Sequence, residues 1–271
     1  MAKAIQDCIV LFGDSLTERQ DVPQALFERM NNAYGRKLDV LNRGFGGYTS
    51  TLVLPLFEHL FTQKPEISPQ IRLITMWFGT NDGVNFPNPR ATTPLQFKKN
   101  HELMLENLTS PRSSYAVSDA PVHILLITPP PPYLPQVPLP AQWVRSTERC
   151  LEFTDVIRDL GKEWKRKEES IENKSGWKIE VLDLWKAMED RAGGIGDGLA
   201  PFFHDGCHMT TEGYGVLWDE YQKIVKGAWK GDGLDWEDED DLPLRVPSVR
   251  EVNVVRPENV VEKMGVPKWK R

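Results

Sequence analysis

The stretch Ile9-Val10-Leu11-Phe12-Gly13-Asp14-Ser15-Leu16 decides the fold of this chain of 271 residues. Four apolar residues follow one another without alternation and end at a glycine and two polar side chains. A short continuous apolar run is typical of a strand that is covered on both faces, as in a parallel sheet. The turn at Gly13 and Asp14 therefore predicts that Ser15 lies at the carboxyl end of the first strand.

The same pattern recurs along the chain. With residues 9–12, the expected strands lie at residues 38–41, 71–78, 122–128 and 179–184. Apolar residues at helical spacing occupy the intervals, at residues 22–34, 49–61, 94–108 and 143–168, and a last amphipathic helix is marked by Leu217, Tyr221, Ile224 and Ala228. Alternating strands and helices predict right-handed crossovers, and hence a three-layer α/β/α sandwich around a central five-stranded parallel sheet.

The composition changes after Gly231. An acidic run at residues 237–241 is followed by a Pro- and Val-rich segment that reaches Arg271. We therefore expect a domain over residues 1–230 and a C-terminal arm over residues 231–271. The valines are too many for a purely solvated tail, which predicts an extended arm packed along the domain, although a disordered tail remains the alternative.

Charge and cysteine content restrict the class of protein. A formal net charge of -6 argues against nucleic-acid or anionic-membrane partners, because both need clustered Lys and Arg, so we expect a small-molecule partner. Three cysteines without a CxxC spacing favour reduced thiols over disulfides or a zinc site. The first apolar stretch is too short for a signal peptide and no stretch reaches membrane-spanning length, which predicts a cytoplasmic protein.

Four loops are expected to converge at one edge of the sheet. In open parallel sheets, ligands bind beyond the carboxyl ends of the strands. Ser15 follows the first expected strand, residues 44–47 follow the second, residues 79–83 follow the third, and the prolines at residues 129–132 follow the fourth. We therefore expect the functional site at this edge.

The segment Asp205-Gly206-Cys207-His208 supplies a base for Ser15. A serine hydroxyl becomes nucleophilic when an imidazole takes its proton, and a carboxylate orients that imidazole. The spacing from Asp205 to His208 lets one turn of backbone bring the two side chains together, which indicates acyl transfer. The other histidines are expected elsewhere: His59 and His101 on exposed helical faces, His123 packed in a strand, and His204 as a nearby competitor for the base.

Two loops offer hydrogen-bond donors to an anionic oxygen. The Asn81 amide follows the third expected strand, and the glycines before Thr49 let the backbone approach a ligand. With backbone N–H groups of Ser15 and Gly47, this amide can surround the oxygen of a tetrahedral intermediate, where each donor contributes about 100- to 1000-fold in rate. Ordinary tight turns at Gly47 and Asn81 remain the alternative.

Taken in order, these segments resemble a known superfamily. Gly13-Asp14-Ser15-Leu16, the Gly-Gly-Tyr-Thr-Ser run containing Gly47, Gly79-Thr80-Asn81-Asp82 and Asp205-x-x-His208 resemble the four blocks of the SGNH/GDSL hydrolases over residues 7–229. Residues 42–50 and Thr128-Pro129-Pro130-Pro131 are similar to the isoamyl acetate-hydrolysing esterase group. The resemblance implies a flavodoxin-like sheet and hydrolysis of carboxylic esters, short-chain acetates among them, with no metal or other cofactor.

The resemblance also implies roles for individual residues. Ser15 is then the nucleophile, Asp205 and His208 are its partners, and Gly47, Asn81 and the Ser15 N–H form the oxyanion hole. Loops supply pocket walls, for which Phe86, Tyr133 and Trp143 are the substrate-binding candidates. Lipase, thioesterase and sugar-acetate esterase activities at this site stay open.

Two readings of other classes compete with an esterase. A metal-dependent phosphoesterase would use Asp14, Asn81, Asp82 and His208 as ligands, but one well-placed histidine leaves it short of nitrogen donors. A binding module would present residues 130–135 as a polyproline II ligand to a WW or SH3 domain. Because this run directly follows a buried strand, a rigid pocket wall is the preferred interpretation.

Overall fold

A five-stranded parallel sheet forms the centre of the computed structural model, which describes residues 6–64, 69–139, 145–253 and 255–265. The strands are β1 Cys8–Gly13, β2 Asp39–Gly44, β3 Ile71–Trp77, β4 His123–Ile127 and β5 Lys178–Leu182. Their order is β2-β1-β3-β4-β5 and every neighbouring pair is parallel. This is the flavodoxin-like order, so the predicted sheet is confirmed.

Helices cover both faces of the sheet. Their bounds are α1 Ser15–Glu18, α2 Leu26–Tyr34, α3 Ser50–Val53, α4 Phe57–Leu60, α5 Pro94–Thr109, α6 Thr147–Glu168, α7 Leu184–Ala192, α8 Thr211–Lys226 and α9 Asn259–Glu262. Short 3₁₀ turns occur at Leu54–Leu56, Ala116–Asp119, Leu134–Gln136 and Asp197–Phe202. In the described ranges, no helix is both long enough and apolar enough to cross a bilayer.

The helix bounds differ from the sequence prediction where local chemistry intervenes. The segment predicted at residues 49–61 divides into α3, a 3₁₀ turn and α4, because Pro55 has no N–H to continue the helix. The helix predicted from residue 22 begins at Leu26, after Gln24 adopts a φ of 59°. The sequence analysis missed α7, whose nine residues are too few for a clear periodicity.

Alternate residues of β1 enter two separate cores. Ile9 and Leu11 pack in the cluster that contains the buried residues of α2, α7 and α8, whereas Val10 and Phe12 pack in the cluster that contains those of α5 and α6. Because successive strand residues point to opposite faces, a strand with apolar residues at every position is covered on both sides. The predicted three-layer sandwich is confirmed.

The cysteines are unpaired thiols. Cys8 and Cys150 are buried, and Cys207 is half-buried in the loop before α8. Burial raises the pKa of the Cys8 thiol to about 12 and that of Cys150 to about 11, so both stay protonated near neutral pH. They act as small apolar side chains in the core.

The segment after α8 packs against the same face as α2 and α8. Leu234 and Leu242 are fully buried, and the Trp236 ring stacks on Tyr221 with 5.9 Å between centroids. The Tyr34 hydroxyl donates to the carbonyl of Leu234 at 2.8 Å. Residues 231–242 therefore complete this core.

Residues beyond 242 follow a different pattern from the one expected. They form turns and α9 instead of one extended arm, within the part of the segment that is described. Val249, Val255 and Val261 are 73%, 84% and 72% exposed. This part contacts the domain through Arg36, whose guanidinium donates to the carbonyls of Val246 at 3.0 Å and Pro247 at 3.1 Å, rather than through these valines.

Leu242→Ala tests whether this segment belongs to the cooperative core. Because Leu242 is fully buried, we expect the free energy of unfolding in urea to fall by about 2–5 kcal/mol. The matched control is Val261→Ala, which removes methyl groups from an exposed side chain and should change stability by less than about 0.5 kcal/mol. Equal midpoints for the two variants would show that residues 231–242 do not stabilise the domain.

Candidate active site

Ser15 lies where β1 gives way to a short helix. Gly13 ends the strand, and the carboxylate of Asp14 caps α1 by accepting the backbone N–H of Leu16 at 2.9 Å. The Tyr214 hydroxyl of α8 donates to the carbonyl of Leu16 at 2.7 Å, which ties α1 to α8. As the first residue of α1, Ser15 has no helical carbonyl one turn earlier to accept its N–H.

The loop before α8 holds a carboxylate and an imidazole together. Asp205 Oδ1 accepts the backbone N–H groups of Cys207 at 3.0 Å and His208 at 2.7 Å, while Asp205 Oδ2 lies 2.8 Å from His208 Nδ1. Gly206 adopts a φ of 78°, and its carbonyl accepts the Tyr133 N–H at 2.9 Å. These backbone contacts hold the Asp205 carboxylate in position beside the His208 ring.

His208 connects this loop to Ser15. His208 Nε2 lies 3.1 Å from Ser15 Oγ, so the serine hydroxyl can donate to it while Nδ1–H donates to Asp205. Partial burial acts to raise the pKa of Asp205, but hydrogen bonds from the His208 ring and two backbone amides outweigh it and lower the pKa. The carboxylate is therefore ionised, as a partner of an imidazolium must be.

Asn81 lies beside the loop that contains Gly47. The Asn81 side chain is buried, and its Nδ2 donates to the carbonyl of Tyr48 at 3.0 Å. Gly47 adopts a φ of 78°, a conformation that favours glycine. The Phe45 N–H donates to the carbonyl of Gly13 at 2.9 Å, which holds this loop against the end of β1. The loops after β1, β2 and β3 therefore meet.

A buried network supports the Asn81 loop from below. Asp82 accepts the backbone N–H of Ser50 at 3.0 Å and its hydroxyl at 2.6 Å. Asn100 of α5 donates to the Ser50 hydroxyl at 2.8 Å. Burial raises the pKa of Asp82 to about 6, against these hydrogen bonds. Asp82 thus anchors α3 and α5 to the loop after β3.

Asp14 is a fully buried carboxyl directly before the candidate nucleophile. Burial raises its pKa to about 7 despite the hydrogen bond from Leu16, and the charge of Asp82 contributes in the same direction. Its Oδ2 atom has no hydrogen-bond partner among the described residues. The ionised form is therefore costly in the folded protein.

The three substrate-binding candidates fare differently. Phe86 is 62% exposed, with the Arg149 guanidinium 5.7 Å from its ring centroid. The Tyr133 hydroxyl donates to Asp197 at 3.0 Å, and its backbone supports Gly206. Trp143 lies outside the described residues. Within those ranges, no hydrogen bond or ring contact joins Phe86 or the Tyr133 side chain to Ser15 or His208, so their role in substrate binding stays a prediction.

The remaining histidines occupy other environments. His59 is exposed and His123 is buried in β4, as predicted. The prediction for His101 is wrong: it is fully buried in α5, with Nδ1 2.9 Å from the Phe97 carbonyl, because this face of the helix packs into the core. His204 is exposed, and its backbone N–H donates to the carbonyl of His208.

The geometry also bears on the rival readings. In the part of the chain that the structure describes, no three or more His, Cys, Asp and Glu residues are grouped to hold a metal ion. Asp14 caps α1 and Asp82 binds Ser50, so both proposed carboxylate ligands have structural partners. Within the run at residues 130–135, the prolines 130–132 are buried and Pro135 is exposed, so most of this run is inaccessible to a WW or SH3 domain.

Arg90 is a residue of this site that the sequence analysis missed. Its Nη1 donates to Asn81 Oδ1 at 3.3 Å. Arg90 lies in an irregular loop nine residues after Asn81, and no periodicity or motif spacing indicates where its side chain reaches. The contact depends on the path of this loop, which only the folded structure reveals.

Comparison with known proteins agrees with this fold. The sequence model of the GDSL-like Lipase/Acylhydrolase family matches residues 11–216. A GDSL esterase/lipase of Arabidopsis thaliana is 26% identical over 255 residues, which cover 91% of this chain and 72% of that protein. An isoamyl acetate-hydrolyzing esterase 1 homolog of Bos taurus is 26% identical over 260 residues, which cover 92% of this chain and 90% of that protein.

Solved structures share the fold. A lipase/acylhydrolase from Enterococcus faecalis superimposes with a TM-score of 0.56 at 24% identity, covering 82% of this chain and 96% of that one. A carbohydrate acetylesterase family member from Sinorhizobium meliloti gives a TM-score of 0.56 at 17% identity, covering 81% and 97%. At these identities, the superpositions support the α/β architecture alone.

Asp14→Asn tests the cost of the buried carboxyl. Asn still caps the helix but does not ionise. The pKa of Asp14 is about 7 in the folded protein, above its ordinary value, so the folded state holds the proton more tightly than the unfolded chain. The contribution of Asp14 to the free energy of unfolding is therefore fully present below about pH 4 and is lost as the pH rises towards 7.

We expect the wild type to lose about 1.4 kcal/mol per pH unit relative to Asp14→Asn between about pH 4 and 7. Urea unfolding at several pH values measures this difference. Asp240→Asn, in an exposed turn, is the control and should show no such trend. A constant difference between wild type and Asp14→Asn across this range would mean that Asp14 keeps an ordinary pKa.

Proposed function

This chain belongs to the GDSL-like lipase/acylhydrolase family of carboxylic ester hydrolases, and on that premise we propose that it hydrolyses short-chain esters through an acyl-enzyme on Ser15. The observation that carries the proposal is one line of hydrogen bonds. Ser15 Oγ lies 3.1 Å from His208 Nε2, and His208 Nδ1 lies 2.8 Å from Asp205 Oδ2. A nucleophile, a base and an orienting carboxylate are thus in contact before substrate binds.

Acylation begins at the serine hydroxyl. Ser15 Oγ attacks the ester carbonyl carbon as His208 Nε2 takes its proton. Asp205 accepts Nδ1–H, which keeps Nε2 unprotonated in the resting enzyme and stabilises the imidazolium once it forms. His208 then gives its proton to the alcohol oxygen as the C–O bond breaks, and the acyl group remains on Ser15.

The carbonyl oxygen becomes an anion in the tetrahedral intermediate. We assign its stabilisation to the Ser15 N–H, the Gly47 N–H and the Asn81 side-chain amide. One amide hydrogen of Asn81 is given to Tyr48, which leaves the second for the substrate oxygen. Loss of one such donor typically lowers the rate about 100- to 1000-fold.

Deacylation uses the same groups in reverse order. A water molecule takes the place of the departed alcohol, and His208 removes its proton as the water oxygen attacks the acyl carbon. The second tetrahedral intermediate collapses when Ser15 Oγ leaves and recovers its proton from His208. The products are the free acid and the enzyme in its starting protonation state, so no cofactor is consumed.

The preference for a short acyl group rests mainly on the relatives of this chain. The relative from Bos taurus is named for isoamyl acetate hydrolysis, which is an acetate ester. The prolines at residues 129–132 are buried, and the cavity they line with Arg145 and Phe203 measures about 10 Å³, which leaves room for about one water molecule. The cavity lies against Cys207, the residue before His208, and we take its small size as support for a short acyl group.

Ser15→Ala tests the nucleophile. We expect kcat/KM for p-nitrophenyl acetate to fall by about 10⁴-fold or more, because no other side chain can take up the acyl group. A fluorophosphonate probe should label the wild type and leave the variant unlabelled. Circular dichroism and the urea midpoint should be unchanged, since Ser15 is only half-buried.

Ser170→Ala is the matched control for this experiment. Ser170 is exposed and lies between the end of α6 and the start of β5, at the sheet edge opposite to Ser15. It should keep wild-type turnover and labelling. Full activity of Ser15→Ala would remove the proposed mechanism.

A series of p-nitrophenyl esters tests the acyl preference. We expect kcat/KM to be highest for acetyl or butyryl esters and to fall by more than about 10-fold at octanoyl, because each methylene that fails to fit costs about 1 kcal/mol or more. Acetylated sugars and acyl thioesters are compared at equal acyl length. A maximum at octanoyl would indicate a lipase, and preference for the sugar acetate would indicate a carbohydrate esterase.

A further inference from the structure

Arg90 extends from an exposed loop to Asn81 and Gly47, two of the three proposed donors of the oxyanion hole. Its Nη1 atom lies 3.3 Å from Asn81 Oδ1 and 3.7 Å from the point that a Cβ on Gly47 would occupy. A local turn aims the side chain, since the Arg90 N–H donates to Asn88 Oδ1 at 3.0 Å and the Asn88 N–H donates to the carbonyl of Asn85 at 3.1 Å.

The contact decides which way the Asn81 amide faces. A side-chain amide has one accepting oxygen and two donor hydrogens. In the observed orientation, Nδ2 donates to the carbonyl of Tyr48 and Oδ1 accepts from Arg90. A flip would place Oδ1 against the Tyr48 carbonyl and Nδ2 against the guanidinium, so both contacts would become repulsive. Tyr48 and Arg90 together keep a donor hydrogen available for the substrate oxygen.

No ion pair to the Arg90 guanidinium occurs among the described residues. In the described part of the chain, its polar contacts are those to Asn81 and Asn88, neither of which is charged. A guanidinium on Oδ1 polarises the amide and strengthens its N–H groups as donors.

Other arginines of this edge act differently. Arg145 Nη1 donates to the carbonyl of Thr80 at 2.6 Å, and Arg149 donates to the carbonyl of Thr92. Both hold backbone, so their loss would disturb the loops themselves. Arg90 is exposed and contacts a side chain whose orientation matters to the oxyanion.

We propose that Arg90 is a positioning residue that fixes and polarises the Asn81 amide for oxyanion stabilisation. The assignment rests on the proposed esterase function and adds to it one specific contribution to the reaction rate, a stronger hydrogen-bond donor at Asn81. A group that strengthens a donor in the transition state raises kcat with little effect on substrate binding. The expected signature is therefore a change in kcat at nearly constant KM.

Arg90→Met tests this role, with Arg90→Lys as the conservative variant. With p-nitrophenyl acetate, we expect Arg90→Met to lower kcat about 10-fold, less than loss of a donor itself, and to change KM less than about twofold. Arg90→Lys keeps the charge and should recover kcat to within about threefold of wild type. Arg112→Met, at an exposed position after α5, is the control and should match wild type.

A trifluoromethyl ketone supplies a second measurement. Its adduct with a serine carries a tetrahedral oxyanion, so the inhibition constant should rise in Arg90→Met by about the factor by which kcat/KM falls. A purely structural effect would lower the urea midpoint as well, whereas we expect the midpoint to be unchanged because Arg90 is exposed. An effect confined to KM would mean that Arg90 binds substrate instead.

The double variant Arg90→Met/Asn81→Ala identifies the route of the effect. If Arg90 acts through Asn81, the double variant should be no slower than Asn81→Ala alone. Fully multiplicative losses, or an Arg90→Met enzyme within twofold of wild type, would overturn the assignment. Ser15→Ala separates the two levels: if it is inactive while Arg90→Met is unimpaired, only the Arg90 role fails, and if it is fully active, the esterase mechanism itself fails.

Discussion

The contact between Ser15 Oγ and His208 Nε2 depends on one topological constraint. The two residues are 193 positions apart, and they meet because β1 ends and α8 begins at the same edge of a parallel sheet. The buried hydrogen bond from Tyr214 to the carbonyl of Leu16 holds the two elements in register at 2.7 Å. The proposed nucleophile and its proposed base are thus positioned by the sheet itself rather than by loop flexibility.

The cost of this arrangement lies beneath the site. Asp14 and Asp82 are buried carboxyls whose pKa values are raised to about 7 and 6, and burial is the main cause for both. Asp14 holds the turn that exposes Ser15, and Asp82 holds the loop that presents Asn81. The protein therefore holds two poorly solvated carboxyls beneath loops whose proposed oxyanion donors would need little reorganisation during the reaction.

Much of the fold could be predicted because its strands are buried on both faces. Such strands give continuous apolar runs, and all five were recognised from them. The order of the polar segments at strand ends likewise indicated Ser15, Asn81 and His208. Two features could not be predicted in this way. One is the break in the predicted helix at Pro55, and the other is the contact of Arg90 with Asn81 across an irregular loop. Apolar periodicity contains neither feature: the break follows from the missing N–H of Pro55, and the contact depends on the path of the loop that carries Arg90.

Each loop at the candidate site is hydrogen-bonded to a neighbouring loop at the same edge of the sheet. The carbonyl of Gly13, at the end of β1, accepts the Phe45 N–H from the loop after β2. In that second loop, the carbonyl of Tyr48 accepts the side-chain amide of Asn81 from the loop after β3. The loop after β4 donates from Tyr133 to Gly206, inside the turn that holds Asp205 and His208. Each loop thus limits the freedom of a neighbour on which a proposed catalytic group depends. A change in any one of them is expected to lower activity before it lowers stability, because chemistry tolerates displacements of about 1 Å far less well than folding does.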